Sequence, residues 1–138
     1  MERLFESAPS IALVGVQPLE IAGGRCRMRL VVKPSFMNVI GTLHAGFTTF
    51  LADTCMFGAA WSSLQEGESI TTLEIKINLL KSVKTGTLEA NATLLKRGRT
   101  VILASADVRD EKGALVAHAV STLLIIRGEN KEGPKQVT

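Results

Sequence analysis

Apolar and polar residues alternate along most of this chain, and the alternation gives way once, near the middle. In "RCRMRLVV", Cys26, Met28, Leu30 and Val32 fall on one face and Arg25, Arg27 and Arg29 on the other, the period-two pattern of a half-buried strand. Upstream, "IALVGVQPLEI" (residues 11–21) reads as β-like, and Gly23-Gly24 reads as a hairpin turn between two strands. Pro34 ends the second of these. Residues 1–9 read as a short helix or arm with Leu4, Phe5 and Ala8 on one side. Past residue 70 four strands follow in series: "TTLEIKINLL", "GTLEANATLLK", "RTVILASADVRD" and "ALVAHAVSTLLII". The first sets Leu73, Ile75, Ile77 and Leu79 against Thr72, Glu74, Lys76 and Asn78. The intervening "KTG", "KRGR" and "DEKG" are short enough for antiparallel hairpins.

The break runs from about Leu43 to Leu64, a segment too long for a strand and apolar on nearly every side, which predicts a buried helix. Gly46, Ala52, Gly58, Ala59 and Ala60 keep it slim, and Thr42 is the expected N-cap. Between Lys33 and Glu66 the only formally charged side chain is Asp53. An unpaired carboxylate buried in an apolar helix is costly, so Asp53 must be partnered, protonated or near water.

Composition narrows the classes. The 138 residues, 46% of them hydrophobic, suit a single domain with a real core, expected over residues 1–127, with a disordered tail over 128–138. "MERLFESAPS" lacks the basic-then-apolar order of a secretory leader. Cys26 and Cys55 form no metal or redox spacing, so reduced thiols and a cytoplasmic location are expected. Two histidines, His44 and His118, make a His-rich metal site improbable. A net charge of +3 hints only weakly at an anionic partner. Aromatics at 4% with no Tyr argue against a nucleic-acid stacking platform, and the apolar run interrupted by Asp53 argues against a membrane span.

The pattern N-x-x-G-x-x-H-A-G-x(6)-A-D-T, formed by Asn38, Gly41, His44, Ala45, Gly46, Ala52, Asp53 and Thr54, resembles the signature of hotdog acyl-CoA thioesterases of the PaaI-like (phenylacetate-pathway) type. The resemblance continues through "LEIKINLLKSVKTG" and "LLKRGRT" and spans most of residues 30–126. It implies an α+β hotdog fold, an antiparallel β-sheet wrapped around a long central apolar helix, which is what the two-strand, helix, four-strand order also suggests. One departure is Ala45, where the family usually has Gly. Alanine keeps the backbone donor if its φ is negative, and puts the site in doubt if φ must be positive.

Helix geometry adds a constraint. His44 and Asp53 are nine residues apart, which is roughly half a turn out of phase and about 13 Å along the axis. They cannot share one substrate atom within a chain, but they can meet across a two-fold axis. A homodimer with composite active sites is therefore expected, and the resemblance implies dimers often paired into a dimer of dimers (homotetramer). The helix N-terminus offers unpaired N–H groups and a positive dipole end. The N–H of Ala45 or Gly46 would polarise a thioester carbonyl and stabilise its oxyanion. The resemblance implies that Asn38 and His44 orient the carbonyl or water, that Asp53 serves as general base or as nucleophile, and that Thr72 helps hold the water. It also implies that Lys81, Ser82 and Lys84, with Lys96, Arg97, Gly98, Arg99 and Thr100, bind the nucleotide end of coenzyme A. The products are a free acid and coenzyme A, with no metal or cofactor beyond the coenzyme A of the substrate itself.

Plainer readings stand beside these. Asp53 also fits a cap or a buried ion pair, His44 a turn histidine, Thr72 a strand former, and "KRGR" a solvated turn. His118 reads as structural, Trp61 as core or interface, and Cys55 as a small buried hydrophobe. Against an acyl-CoA thioesterase acting on a small aromatic or medium-chain acyl group stand a non-catalytic acyl-CoA-binding module (sensor or scaffold) and a hotdog dehydratase or hydratase. Neither nucleic acid nor membrane is expected as a partner.

Overall fold

The computed structural model describes residues 1–128; the tail expected over 128–138 lies outside the described residues except for Gly128. The chain opens with two short helices, α1 (Glu2–Glu6) and α2 (Pro9–Val14). Residues 11–14, read above as β-like, are thus helical. Pro9 at the first turn fixes the start, and Gly15, at φ 87°, closes the end in the left-handed region. These two residues, not the apolar run between them, decide the local structure.

Strands β1 (Gln17–Ala22) and β2 (Arg25–Val31) form the expected two-residue hairpin, with Gly23 and Gly24 both at positive φ. After a 3-10 turn at Pro34–Phe36 the chain enters α3 (Ala45–Trp61), then β3 (Glu68–Leu79), β4 (Thr87–Arg97), β5 (Val101–Asp110) and β6 (Leu115–Arg127). The six strands make one antiparallel sheet in the order β1-β2-β4-β5-β6-β3. "KRGR" and "DEKG" close hairpins as expected, but "KTG" does not. β4 pairs with β2 and β5, so β3 is displaced to the far edge beside β6. The 80–86 link instead crosses beside the start of α3, where Leu43 N–H donates to Val83 C=O.

The sheet wraps α3. Met28, Leu30, Leu88, Ile102, Val108 and Leu123 from the sheet are fully buried together with Leu51, Cys55 and Met56 from the helix. The many inward alanines, Ala90, Ala92, Ala104, Ala106, Ala117 and Ala119, let the helix lie close. Contact is tightest at Gly58, where a Cβ would come within 2.8 Å of Cys26 Sγ. This is the hotdog fold. The remaining side of α3, a stripe through Phe50, Asp53, Thr54, Phe57 and Trp61, is only half-buried, and the N-terminal helices cover it.

A β-bulge between Thr72 and Glu74 shifts the alternation of β3 by one residue. Ahead of it Thr72 lies opposite fully buried Leu123, on the inner face. The polar face assigned to Thr72 from simple alternation is therefore wrong, and Leu73, expected inside, is exposed. Alternation carries no record of where an extra residue is inserted.

Candidate active site

The helix start is built by a tight loop. Asn38 accepts with Oδ1 from the N–H groups of Ile40 and Thr42, at 3.0 and 3.1 Å, and donates from Nδ2 to Thr42 Oγ1 at 2.9 Å. Its amide therefore holds the loop, and Thr42 is consumed in that network rather than capping α3. The N-cap is His44, whose Nδ1 accepts the Gly46 N–H at 2.8 Å. That bond leaves Nδ1 without a proton, so in the neutral ring the proton sits on Nε2. It also uses the Gly46 N–H, one of the two donors proposed for the oxyanion. Phe47 N–H is taken by the His44 carbonyl. Ala45 N–H has no partner among the described residues. Among the described residues no non-glycine residue has positive φ, so Ala45 keeps a helical backbone and presents the same donor a glycine would.

Asp53 lies two turns further along α3, half-buried, with Thr72 Oγ1 donating to its Oδ1 at 3.2 Å. Burial pushes the Asp53 carboxyl above its ordinary range, and the Thr72 bond pulls part of the way back. The carboxylate forms part of the wall of a largely apolar cavity of about 280 Å³ lined by Phe5, Ile11, Phe50, Phe57 and Trp61. The helix start opens elsewhere. Asn38, Thr42 and Ala45 line a different pocket of about 290 Å³ with Leu79, Leu80, Lys81 and Ser82. Within one chain the structure brings Asp53 to Thr72, and Asn38 to Thr42 and the start of α3, but it does not bring the two groups to one cavity.

The two basic segments are also apart. Lys81, Ser82 and Lys84 precede β4, whereas Lys96, Gly98, Arg99 and Thr100 follow or end it, a separation of roughly 30 Å along an 11-residue strand. Lys81 pairs with Asp110. Arg97 is engaged by Glu68, a carboxylate 4% exposed that also takes Arg127 at 2.8 Å and the Gln65 N–H at 2.8 Å. Arg97 is thus part of a structural node that the sequence reading did not identify, while Lys96 and Arg99 stand exposed. His118 sits on the outer side of the sheet beside Asp107, 2.7 Å away. Cys55 is fully buried, its thiol pushed up by that burial and bonded to the Cys26 carbonyl. Neither lines the Asp53 cavity.

A sequence-family model described as the thioesterase superfamily matches residues 40–117, which include α3, β3, β4 and β5. The chain belongs to that superfamily and is a thioester hydrolase. It is 31% identical over 115 residues to a Bacillus subtilis protein named "Putative esterase ComA2", covering 83% of this chain and 91% of that one. A solved Haemophilus influenzae thioesterase superposes with a TM-score of 0.84 at 27% identity, over 91% of this chain and 87% of its own. A mutant form of the phenylacetic acid degradation protein PaaI from Thermus thermophilus shares the fold, with a TM-score of 0.78 at 24% identity, over 84% of this chain and 97% of that one.

Proposed function

We propose that the protein hydrolyses a small aromatic or medium-chain acyl-CoA to the free acid and coenzyme A, with Asp53 as its acid–base or nucleophilic carboxylate. One observation carries this reading: a carboxylate whose proton affinity is raised by burial, held by Thr72, in the wall of an apolar cavity of acyl-group size. A charge kept there at the expense of stability is what a general base needs. Acting as base, Asp53 takes a proton from water while the water oxygen attacks the thioester carbonyl carbon. The C–S bond then breaks and the proton passes to the departing thiolate. Acting as nucleophile, Asp53 forms a mixed anhydride as the C–S bond breaks, and water cleaves the anhydride.

The free N–H of Ala45 at the positive end of α3 is the donor assigned to the oxyanion. His44 orients it by capping the turn, and Asn38 by fixing the loop. Because Ala45 and Asp53 of one chain open onto different pockets, each site takes Ala45 from one subunit and Asp53 from another. The edge strand β3 supports the homodimer, with Leu73, Leu79 and Leu80 exposed beside it. A dimer of dimers follows the family habit. Lys96, Gly98, Arg99 and Thr100, together with Lys81, Ser82 and Lys84, bind the phosphates of coenzyme A, with segments from different subunits closing the distance within one chain. Arg97 serves there by positioning the turn. No cofactor beyond the coenzyme A of the substrate is required. A cytoplasmic location suits these partners, and no helix among the described residues is long and apolar enough to cross a membrane.

The test is thiol release from phenylacetyl-, benzoyl-, hydroxybenzoyl- and straight-chain acyl-CoAs by wild type and Asp53→Asn. Turnover that drops by roughly 10²–10⁴-fold in the variant, with binding retained, is expected. Tight binding without turnover by wild type replaces this reading with the sensor or scaffold.

A further inference from the structure

The catalytic carboxylate opens onto a cavity whose roof comes from a part of the chain outside the family match. Asp53, Phe57 and Trp61 lie at successive turns of one α3 stripe, so the helix carries the cavity floor about 12 Å beyond Asp53. Opposite this floor, α1 and α2 contribute Phe5, Ser10 and Ile11. Phe5 is 6% exposed and docks edge-on against both helix aromatics, with ring centroids 6.2 Å from Phe57 and 6.0 Å from Trp61. Phe57 and Trp61 stack on each other at 5.7 Å. The roof is tied down at its far end, where Glu2 Oε1 accepts the Ile21 N–H of β1 at 3.1 Å. The arm is therefore a fixed wall, held by a buried aromatic at one point and a carboxylate–backbone bond at another.

We propose that α1 and α2 complete an acyl pocket within a single chain, and that Phe5 is its end wall and the residue that sets acyl length at about one aromatic ring. This rests on the hydrolase reading above and specifies its acyl subsite. Volume is compatible with the size: a cavity of about 150 Å³ accepts benzene, and one of about 280 Å³ has room for a ring and its short link to the thioester carbonyl. Chemistry supports the class. The far end is a cluster of three aromatic side chains, whose edges and faces suit a flat ring better than a flexible chain, which would lose rotamer freedom on entering. With the thioester carbonyl at Asp53, the ring lies over Phe57 and stops at Phe5 and Trp61. A long straight chain runs into that cluster.

Trp61 is the chain's single tryptophan, so the pocket reports on itself. In Asp53→Asn, phenylacetyl-CoA is expected to change Trp61 emission on titration, and free coenzyme A is not. Two further variants alter the roof. Ser10 is exposed at the rim, so Ser10→Phe fills the pocket without deleting core and is expected to raise KM for phenylacetyl-CoA about tenfold or more, leaving product inhibition by coenzyme A unchanged. Phe5→Leu shortens the end wall and is expected to raise the kcat/KM ratio of dodecanoyl- to phenylacetyl-CoA by about tenfold. Should Phe5→Leu fail to fold, Ser10→Phe and the emission titration decide. The proposal is overturned if wild type hydrolyses phenylacetyl-CoA while Trp61 stays silent, or if folded roof variants leave the acyl preference unchanged. If Trp61 responds to phenylacetyl-CoA but wild type cleaves no acyl-CoA, the pocket stands and the hydrolase reading is what fails.

Discussion

Thr72 donates its hydroxyl to Oδ1 of Asp53 across 3.2 Å, joining the bulge of β3 to the half-buried stripe of α3. Burial raises the proton affinity of Asp53, and this hydrogen bond, made to the charged form, lowers it again. A base works only when ionised, so the acid limb of the kcat/KM–pH profile should lie above the ordinary aspartate range. Thr72→Val removes the hydrogen bond that favours the carboxylate. The limb is then expected to move to higher pH, so activity falls by more on the acid limb than on the plateau above it, and Thr72→Ser restores the profile. A uniform loss at all pH values would mean that Thr72 acts on substrate or water instead.

The same burial has a consequence for stability. Folding raises the Asp53 pKa above its ordinary 3.8, so the folded state holds this proton more tightly than the unfolded chain does. The stabilisation linked to that proton is fully present below about pH 3.8 and is lost as pH rises through the folded value. Asp53→Asn removes the charge. It is expected to match wild type in strong acid and to exceed it at neutral pH, by less than about 1 kcal/mol because water screens a half-buried group. Thermal melts of both proteins across the acid range check this. A variant that is less stable at neutral pH would mean that Asp53 is a structural partner and not a site residue held against stability.

At the helix start, space and hydrogen bonding make opposite demands on neighbouring small residues. A Cβ on Gly46 would stand 2.9 Å from His44 Nδ1 and 3.2 Å from Cε1, too close for the capping imidazole to stay. Gly46→Ala is expected to displace the cap, with a stability loss of about 1 kcal/mol and a fall in kcat. His44→Ala should lose a similar amount of stability. Ala45→Gly keeps the backbone donor and should change kcat less than about threefold, at a small entropic expense. Melts and steady-state kinetics on the three variants separate the donor's role from the cap's.

These contrasts show which features the sequence made legible. The buried α3 helix, the β1–β2 hairpin and the isolated Asp53 were readable because each rests on local signals: a long apolar run, a glycine pair, a single charge where none is expected. The link from β3 to β4 was misread because strand order depends on which edges are already occupied, and the 80–86 segment is short enough for a hairpin either way. Thr72 was placed on the wrong face for a related reason, since a bulge shifts the period by one without changing composition. The resemblance, which implies that Thr72 helps hold the water, does not depend on alternation, and the bulge turns Thr72 inward to bond Asp53. Of the roof over Asp53, α1 agrees with the helix or arm expected over residues 1–9, but α2 does not follow from the apolar pattern, although Pro9 and Gly15, bracketing "SIALV", mark a helix start and stop. Apolar β-branched residues between them outweighed the punctuation.

Glu68 is the group that no motif pointed to. Burial alone would raise its pKa, but the Gln65 N–H and the Arg97 and Arg127 guanidiniums outweigh burial and hold it below the ordinary 4.5. Its stabilising contribution is therefore present above about pH 4.5 and is lost as pH falls through the lowered folded value. Glu68→Gln is expected to reduce stability at neutral pH by about 1–2 kcal/mol, since both arginines keep one side in water. The deficit should close on acidification. Because Arg97 ends β4 and anchors the "KRGR" turn, KM for acyl-CoA should rise while kcat stays near wild type. Melts across the acid range and a KM-against-kcat comparison test both halves.

Composite sites give the sharpest test of assembly, because each defect then belongs to a different subunit's contribution. If Ala45 of one chain serves Asp53 of another, a homodimer of Asp53→Asn has two dead sites, and so does a homodimer crippled at the helix start by Asn38→Ala. A mixed dimer sorts the two lesions: one site receives both mutations, and the other receives neither. Co-refolding the two inactive proteins at equal ratio puts half of all dimers in the mixed form, each with one intact site, so about a quarter of wild-type activity is expected. Mixing without unfolding should recover it only at the rate of subunit exchange. If each site lay within one chain, every chain in the mixture would still carry a lesion, and activity would stay at the level of the separate variants.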